Sequence, residues 1–410
     1  MTDTQAQRPL DGIRVIGIEQ YIAGPYCTML LADAGAEVIK IERLGSGDPR
    51  RSIGPFVEKG GVRKAAGFLS YNRNKQSLAV DLRSAAGRDI VCRLAVVSDV
   101  VVDNLRPGVT TKLGLDYESL SRINSRLVYA AISGFGRLEG YRSAYSDRPA
   151  FDIVAEAMSG VMNLIGFADK PPKDTLYGLA DVYSGVVTAN GILQALFMRE
   201  RTGEGQMVDS AMVDNMMALN ERAITLYSTT GSEPQRGKLE HQWPRGAFPC
   251  KDGYVALNVP DNNIWGRLAR AVGRPDLVDD PRSIDGVARA RNAEFLQPAL
   301  DNWMATRTRV EVVDTLNAAG VPTGPVYSTA DVFADEHFRR RGMLVEVADP
   351  DLDPSVFART TPLLSGSPEI PTDPAPNLGQ HTRSILEDLL EYDSADVDRL
   401  AEEGVVEIAD

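Results

Sequence analysis

The sequence predicts an α/β protein with a mostly parallel sheet covered by helices. Apolar runs of strand length alternate with helical segments through the first third of the chain, and this alternation is typical of parallel sheets. At 410 residues the chain is long enough for two or three domains. Its apolar fraction of 43% and charged fraction of 25% are ordinary for a globular protein.

The first predicted unit is a strand, a helix and a second strand. Arg14–Glu19 is a short apolar run, a helix begins near Gly24 and Pro25 and continues to about Ala34, and Glu37–Ile41 is the second strand. The same pattern continues with three strands and one helix, namely strands at Ser77–Leu82, Asp99–Asn104 and Leu127–Ser133, and a helix over about Ala85–Val97.

The middle of the chain is predicted to be helical from about Phe151 to Arg199, with one interruption. Two adjacent prolines in the loop 166–178 block a continuous helix. The loop leads to Asp181, which we expect to precede a helix running from about Val182 to Met198.

Changes in composition divide the chain into domains and connectors. Glycines in 201–212 predict a turn, and the Met-rich helical run after it ends near Tyr227. Linker composition follows over Ser228–Gly246, a Pro-rich connector lies at Pro362–Asn377, and an acidic helical tail closes the chain. The predicted divisions are a large domain at 1–227, a linker at 228–236, a small domain at 237–335, a linker at 336–377 and a C-terminal segment at 378–410.

Charge and composition argue against several classes of function. The net charge of −13 disfavours nucleic acid as a partner. The polar opening residues contain no signal pattern, and no apolar run approaches the roughly 18 residues of a membrane helix, so we predict a cytoplasmic protein without a membrane partner. Isolated cysteines and histidines predict neither disulfides nor a metal site: Cys27, Cys92, Cys250, His241, His337 and His381.

Motifs for nucleotide binding and hydrolysis are missing from the sequence. The first strand should be followed by G-x-G-x-x-G in a dinucleotide-binding protein, but only Gly24 stands there. The spacing of Gly231 and Gly237 does not fit a P-loop, and neither H-E-x-x-H nor G-x-S-x-G occurs. The chemistry must therefore depend on other groups.

Asp181 is the candidate that remains, because it stands where a loop meets a helix. A helix N-terminus favours negative charge, so we expect this carboxylate to stay ionised and to be held by backbone N–H groups. An ionised carboxylate attacks a thioester without needing a general base. The alternative interpretation is that Asp181 is only a helix N-cap.

Several segments in the same order resemble the class III CoA-transferases, a family that includes formyl-CoA transferase and related acyl-CoA racemases. The segments read IAGPYCTMLLADAGAEVIKIERLGSGD, NRNKQSLAVDL, SDVVVDNLRPGVTTKLGLDY, RPAFDIVAEAMSGVM and RTGEGQMVDSAM. The resemblance continues to LGQHTRSILEDLL and covers nearly the whole chain. It implies a large Rossmann-like domain built from the N- and C-terminal segments, a smaller inserted α+β domain, and an interlocked homodimer.

The resemblance also implies a function, a CoA-transferase acting on an acyl-CoA and a small carboxylic acid. Asp181 matches the family's nucleophile, which forms an aspartyl anhydride and then an aspartyl-CoA thioester. Coenzyme A is a substrate rather than a tightly bound cofactor, and no metal is implied. Family positions for coenzyme A fall on Ala23, Arg43, Val80, Arg83, Asn104 and Lys112.

Departures from the family pattern narrow the subtype. Ile22 replaces the Gln of formyl-CoA transferases, and Pro149 replaces a contact residue beside Arg148, which could supply a cation for a substrate carboxylate. Racemases carry G-H-D where this chain has Ala150, Phe151 and Asp152, so the proton-carrying histidine is missing. Two alternatives stay open: an isomerase or racemase that pairs Asp181 with Asp152, and a non-catalytic CoA-binding protein.

Overall fold

The structure, a computed structural model, describes residues 7–237, 242–360 and 362–409. These residues divide into two compact units. The large unit takes in the described parts of Met1–Ile165, Lys173–Thr225 and Gly342–Asp410, and the small unit takes in those of Gly166–Pro172 and Leu226–Arg341.

Strands and helices alternate along much of the described chain. The strands are β1 (Arg14–Ile18), β2 (Glu37–Glu42), β3 (Phe56–Lys59), β4 (Val62–Ala65), β5 (Lys75–Val80), β6 (Val100–Asp103), β7 (Val128–Ser133), β8 (Met207–Ala211), β9 (Arg245–Cys250), β10 (Gly253–Asn258), β11 (Thr323–Pro325), β12 (Leu344–Val347), β13 (Ser355–Ala358) and β14 (Val406–Glu407). The α-helices are α1 (Ala23–Asp33), α2 (Ala66–Asn72), α3 (Ala85–Val96), α4 (Val109–Leu113), α5 (Tyr117–Ser121), α6 (Asp152–Met158), α7 (Val161–Leu164), α8 (Leu179–Thr202), α9 (Met212–Leu219), α10 (Glu221–Thr230), α11 (Asn262–Ala271), α12 (Gly286–Arg291), α13 (Ala293–Met304), α14 (Arg309–Ala318), α15 (Thr329–Ala334), α16 (Glu336–Arg340), α17 (Thr382–Ser384) and α18 (Ser394–Glu402). Short 3-10 turns lie at Pro49–Ser52 and Pro275–Leu277, and a π-turn lies at Ile385–Leu389.

The central sheet of the large unit confirms the predicted α/β class. Within the described residues it has seven strands in the order β14-β5-β2-β1-β6-β7-β8. All neighbours are parallel except β14, which runs antiparallel to β5. The strand order reverses direction between β1 and β6. In sheets of this kind, ligands bind beyond the carboxyl ends of the strands at that reversal.

Both faces of the sheet are buried, and this explains the nearly continuous apolar strands. Successive residues of a strand point to opposite faces, so Ile16 and Ile39 join one core while Val15 and Val38 join the other. All four side chains are at most 1% exposed. The apolar runs read from the sequence are therefore the centre of the fold.

Two strands of the central sheet were not predicted from the sequence. The turn predicted over 201–212 is wrong for Met207–Ala211, which forms β8 and pairs with β7. The C-terminal tail contains the expected helix, α18, but ends in β14 at the opposite edge of the sheet. Both strands are short and depend on hydrogen bonds to distant partners rather than on a local pattern.

The small unit has its own sheet and core among the described residues. Strands β9, β10 and β11 form an antiparallel sheet. The core packs Trp265 and Leu268 of α11 with Leu300 of α13 and Val312 of α14.

Candidate active site

A cavity of about 490 Å³ lies beyond the carboxyl ends of β1, β6 and β7, where the strand order reverses. It is lined by the turn after β1 (Gln20–Ala23), the segment after β6 (Asn104–Pro107), the end of β7 with Gly134, the segment 148–153, and the start of α8 with Asp181. We call it the nucleophile cavity. All of its lining residues belong to the large unit.

Asp181 projects from the first turn of α8 rather than preceding that helix. The helix begins at Leu179, after Gly178 in the left-handed conformation with φ +81°, so the predicted start at Val182 is wrong. Helix α8 packs tightly against α1 because Gly185 has no side chain. A Cβ there would lie 3.0 Å from the Ala23 carbonyl oxygen, so this contact brings Asp181 beside the turn that follows β1.

The backbone N–H groups at the start of α8 are capped by Asp152, not by Asp181. Asp152 Oδ1 accepts hydrogen bonds from the N–H groups of Ala180 at 2.6 Å and Asp181 at 3.4 Å, and its Oδ2 accepts one from Gly178 at 3.1 Å. The expectation that these donors hold the Asp181 carboxylate is therefore wrong. A helix N-terminus has few free donors, and a residue from a different helix, α6, occupies them.

Burial raises the pKa of Asp181 to about 7, and the negative charge of Asp152 contributes to the rise, against a lowering effect of Arg50. Two carboxylates that share one helix end cannot both ionise freely. The expectation that Asp181 stays ionised is thus wrong at neutral pH, where its protonated and ionised forms are both populated. Perturbed carboxyl groups of this kind are concentrated in active sites.

Arg50 is a cavity residue that the sequence did not single out. It lies in the 3-10 turn Pro49–Ser52, and the Asp48 side chain accepts its backbone N–H at 2.8 Å. Its side chain lines the nucleophile cavity although the residue is only 7% exposed. The sequence shows two adjacent arginines after the GSGD turn, but this pattern does not indicate which of the two side chains points into the cavity.

A second cavity of about 640 Å³ lies beyond the ends of β1, β2 and β5. Three of the predicted coenzyme A residues, Arg43, Val80 and Arg83, line it. Arg106, which was not predicted, lines both cavities, as do Gln20 and Leu105. We call this space the arginine cavity, because Arg43, Arg83 and Arg106 are all exposed along it.

The remaining predicted residues are distributed differently. Ala23, Asn104 and Arg148 line the nucleophile cavity. The Asn104 side chain binds the Gln20 backbone, accepting its N–H at 2.8 Å and donating to its carbonyl at 2.7 Å. Arg148 is exposed and stacks on Tyr145 at 4.2 Å. Lys112 lies on α4 and lines neither cavity.

Neither a bilayer-spanning helix nor a metal-binding cluster occurs within the described ranges. No helix there is long and apolar enough to cross a bilayer. No group of three or more His, Cys, Asp or Glu side chains in the same ranges is arranged to hold a metal ion.

Comparison with known proteins places the chain in a family. The model of CoA-transferase family III matches residues 10–382, so the chain belongs to that family. It is an enzyme of the transferase class, and its reaction is the transfer of coenzyme A.

Two named relatives and one solved structure are similar to this chain over nearly their full length. The succinyl-CoA:mesaconate CoA-transferase of Haloarcula hispanica is 39% identical over 92% of this chain and 96% of its own. The succinyl-CoA–D-citramalate CoA-transferase of Chloroflexus aurantiacus is 35% identical over 99% and 100%. A CaiB/BaiF family protein from Brucella suis is 35% identical, with a TM-score of 0.83 over 93% of this chain and 100% of its own.

Proposed function

We propose that this enzyme moves coenzyme A from an acyl-CoA donor to a free carboxylic acid through covalent intermediates on Asp181. The observation that carries the proposal is the position of Asp181, a carboxylate with a raised pKa in a cavity at the strand reversal. Family membership supplies the class of reaction, and the cavity supplies the nucleophile.

The first half of the reaction needs no proton transfer. An oxygen of the ionised Asp181 attacks the thioester carbonyl carbon, the carbon–sulfur bond breaks, and the thiolate of coenzyme A leaves with the electron pair. The thiolate then attacks the Asp181 carbonyl of the resulting anhydride. The donor acid is released as a carboxylate, and Asp181 carries coenzyme A as a thioester.

The second half repeats these steps with the acceptor. The acceptor carboxylate attacks the aspartyl thioester and displaces the thiolate, which then attacks the acceptor carbonyl of the new anhydride. The new acyl-CoA leaves and Asp181 is regenerated. Water must be kept from both anhydrides, and the half-buried position of Asp181 favours this.

We assign the arginine cavity to the nucleotide end of coenzyme A. Phosphate groups require cations and backbone donors, and Arg43, Arg83 and Arg106 are exposed there. Because the two cavities share Gln20, Leu105 and Arg106, a single coenzyme A can reach from one to the other. Its thiol then lies beside the turn after β1, near Asp181.

The names of the relatives suggest the first substrates to test. Mesaconate, D-citramalate and glutarate appear with succinyl-CoA in the names of transferases that are 32 to 39% identical to this chain. All of these acyl groups are dicarboxylic. We carry over only this shared chemistry, and take succinyl-CoA with a short dicarboxylic acid as the starting pair.

The isomerase alternative depends on Asp152 as the second acid or base. Both oxygens of Asp152 accept backbone hydrogen bonds from the start of α8, which counts against proton exchange with a substrate. The enzyme would reveal α-proton abstraction by incorporating solvent deuterium at the α-carbon during incubation with an acyl-CoA.

We also propose a homodimer. Val186, Leu193 and Phe197 lie at helical spacing along α8 and are 42 to 63% exposed, so they form an apolar stripe on that helix. A second copy of the chain would bury it. Light scattering of the purified protein should give twice the mass of 44.5 kDa, and a mass of one chain would contradict this proposal.

Covalent labelling tests the proposed mechanism directly. We expect an acyl-CoA to make the peptide containing Asp181 reactive toward hydroxylamine or borohydride, with the adduct located by mass spectrometry. The Asp181→Ala variant serves as the blank. An unmodified peptide under conditions where acyl-CoA binding is confirmed would contradict the mechanism.

A further inference from the structure

The nucleophile cavity contains a buried cation that forms no ion pair with any of the described residues. Arg50 is 7% exposed, and its Nε is buried without a hydrogen-bond partner. Its Nη1 donates one long hydrogen bond of 3.4 Å to the Tyr177 hydroxyl. Among the residues that the structure describes, no carboxylate lies within 4.0 Å of this guanidinium, whereas Arg51 beside it pairs with Glu42 at 2.7 Å.

The surrounding structure holds Arg50 in this position. Its backbone is fixed by Asp48, whose own side chain pairs with the buried Lys40 at 2.9 Å. Gly67 on α2 leaves space for the guanidinium, because a Cβ at that position would overlap Nη2. A buried guanidinium without a partner is costly, so a cavity that preserves one is suited to an anionic ligand.

The anion should come from the acyl group. The phosphates of coenzyme A have the exposed arginines of the other cavity, and Asp181 is needed for the chemistry. A monocarboxylic acyl group, once joined to coenzyme A, has no charge left to offer. A dicarboxylic acyl group keeps one free carboxylate, and a guanidinium matches its shape with paired donors.

We propose that Arg50, with the Tyr177 hydroxyl, binds the second carboxylate of a dicarboxylic acyl group while its thioester carbonyl faces Asp181. This inference rests on the proposed transfer through Asp181. Tyr177 accepts a hydrogen bond from Arg50, and its hydroxyl can donate one to the same carboxylate. Donor and acceptor acids occupy the cavity in turn, so one pair of residues selects both.

The test compares two thioesters that differ only in the free carboxylate, succinyl-CoA and butyryl-CoA. For Arg50→Gln we expect kcat/KM with succinyl-CoA to fall about 30- to 100-fold, the size of a lost charged hydrogen bond. Because the Arg50 charge also lowers the pKa of Asp181, both thioesters are assayed above about pH 8, where that carboxylate is largely ionised; there we expect kcat/KM or the competitive inhibition constant of butyryl-CoA to change by less than about threefold. Arg63→Gln, on the exposed hairpin β3–β4, is the matched control and should leave both values unchanged.

Two further variants keep Arg50 itself intact. Tyr177 is 73% exposed, so Tyr177→Phe should fold normally and lose selectivity by about three- to tenfold. Gly67→Ala should displace the Arg50 guanidinium and, like Tyr177→Phe, lower the ratio of kcat/KM for succinyl-CoA to that for butyryl-CoA. Equal losses with both thioesters in these variants would overturn the inference, since Arg50 would then assist catalysis in general. A wild-type enzyme that never labels Asp181 would instead contradict the proposed function.

Discussion

Two groups of charged side chains lie near the end of β1, and they differ in how their charges are paired. In the first, which we call the balanced cluster, Glu19 binds Lys75 at 2.9 Å, Lys40 binds Asp48 at 2.9 Å, and all four residues are at most 4% exposed. In the nucleophile cavity, Asp181 lies near Asp152, and neither Asp181 nor Arg50 forms an ion pair within the described residues.

In the balanced cluster every buried charge has a partner of opposite sign, and the paired groups also hold nearby backbone in place. Thr28 donates to both carboxylate oxygens of Glu19, and Lys75 also donates to the Pro25 carbonyl. The balanced cluster therefore supports the turn between β1 and α1. In the cavity neither Asp181 nor Arg50 has an ion-pair partner among the described residues, and burial raises the pKa of Asp181. Under the proposed function a substrate would interact with both groups.

The largest expected effect concerns Asp181 itself. Without its carboxylate no covalent intermediate forms, so Asp181→Ala should lower kcat by about 10⁴-fold or more, as removal of other covalent nucleophiles does. Thermal unfolding should show an intact fold. Asp353→Ala, which removes an exposed carboxylate of the same unit, is the control and should retain full activity. If Asp181→Ala transferred coenzyme A at even a tenth of the wild-type rate, the nucleophile would have to be a different residue.

Substitutions in the balanced cluster should lower the free energy of unfolding. Lys75→Met leaves Glu19 buried with only Lys40, at 3.5 Å, and breaking such a pair from one side typically costs about 3–5 kcal/mol of unfolding free energy. Urea denaturation measures the change. Lys59→Met removes an exposed pair with Asp353 and should cost about 1 kcal/mol or less. Similar losses of unfolding free energy in the two variants would mean that the buried and the exposed ion pair contribute equally to stability.

Asp181 should also make stability depend on pH. Its folded pKa of about 7 lies above the ordinary value of 3.8, so the folded state holds the proton more tightly and loses stability as pH rises between these values. Asp181→Asn removes this penalty. The variant should therefore gain stability relative to wild type between about pH 4 and pH 8, by at most about 4 kcal/mol. A stability difference that stays constant across this range would mean that the carboxyl titrates normally.

The smallest expected effect is a shift in the pH profile of the reaction. Asp152 raises the pKa of Asp181 through its charge, so Asp152→Asn should lower that pKa. Because the pKa of Asp181 is raised to about 7, the rate of Asp181 labelling in the wild type should rise with pH through that value, and the variant should reach its plateau at lower pH. Its amide oxygen can still cap α8. An unchanged midpoint would leave burial as the sole cause of the raised pKa.

The sequence predicted the sheet and singled out Asp181 because both have local signals. Buried parallel strands such as Val128–Ser133 are apolar along nearly their whole length, and Asp181 follows a Pro-rich loop at a helix start within a recognisable family order. Strands β8 (Met207–Ala211) and β14 (Val406–Glu407) were not predicted, because they form strands through pairing with β7 and β5 rather than through a local sequence pattern. The inward-facing Arg50 could not be told from Arg51 by sequence.

By itself, the sequence determined the fold class, the family and the residue on which the proposed chemistry depends. The tertiary structure decided the pKa of that residue, Asp181. Asp152 comes from α6, which is separated from α8 by α7 and a loop. It accepts hydrogen bonds from the N–H groups of the α8 N-terminus, and together with burial it raises the pKa of Asp181. Electrostatic interactions depend on distance in space and on the exclusion of water. Neither quantity can be read from the order of residues along the chain.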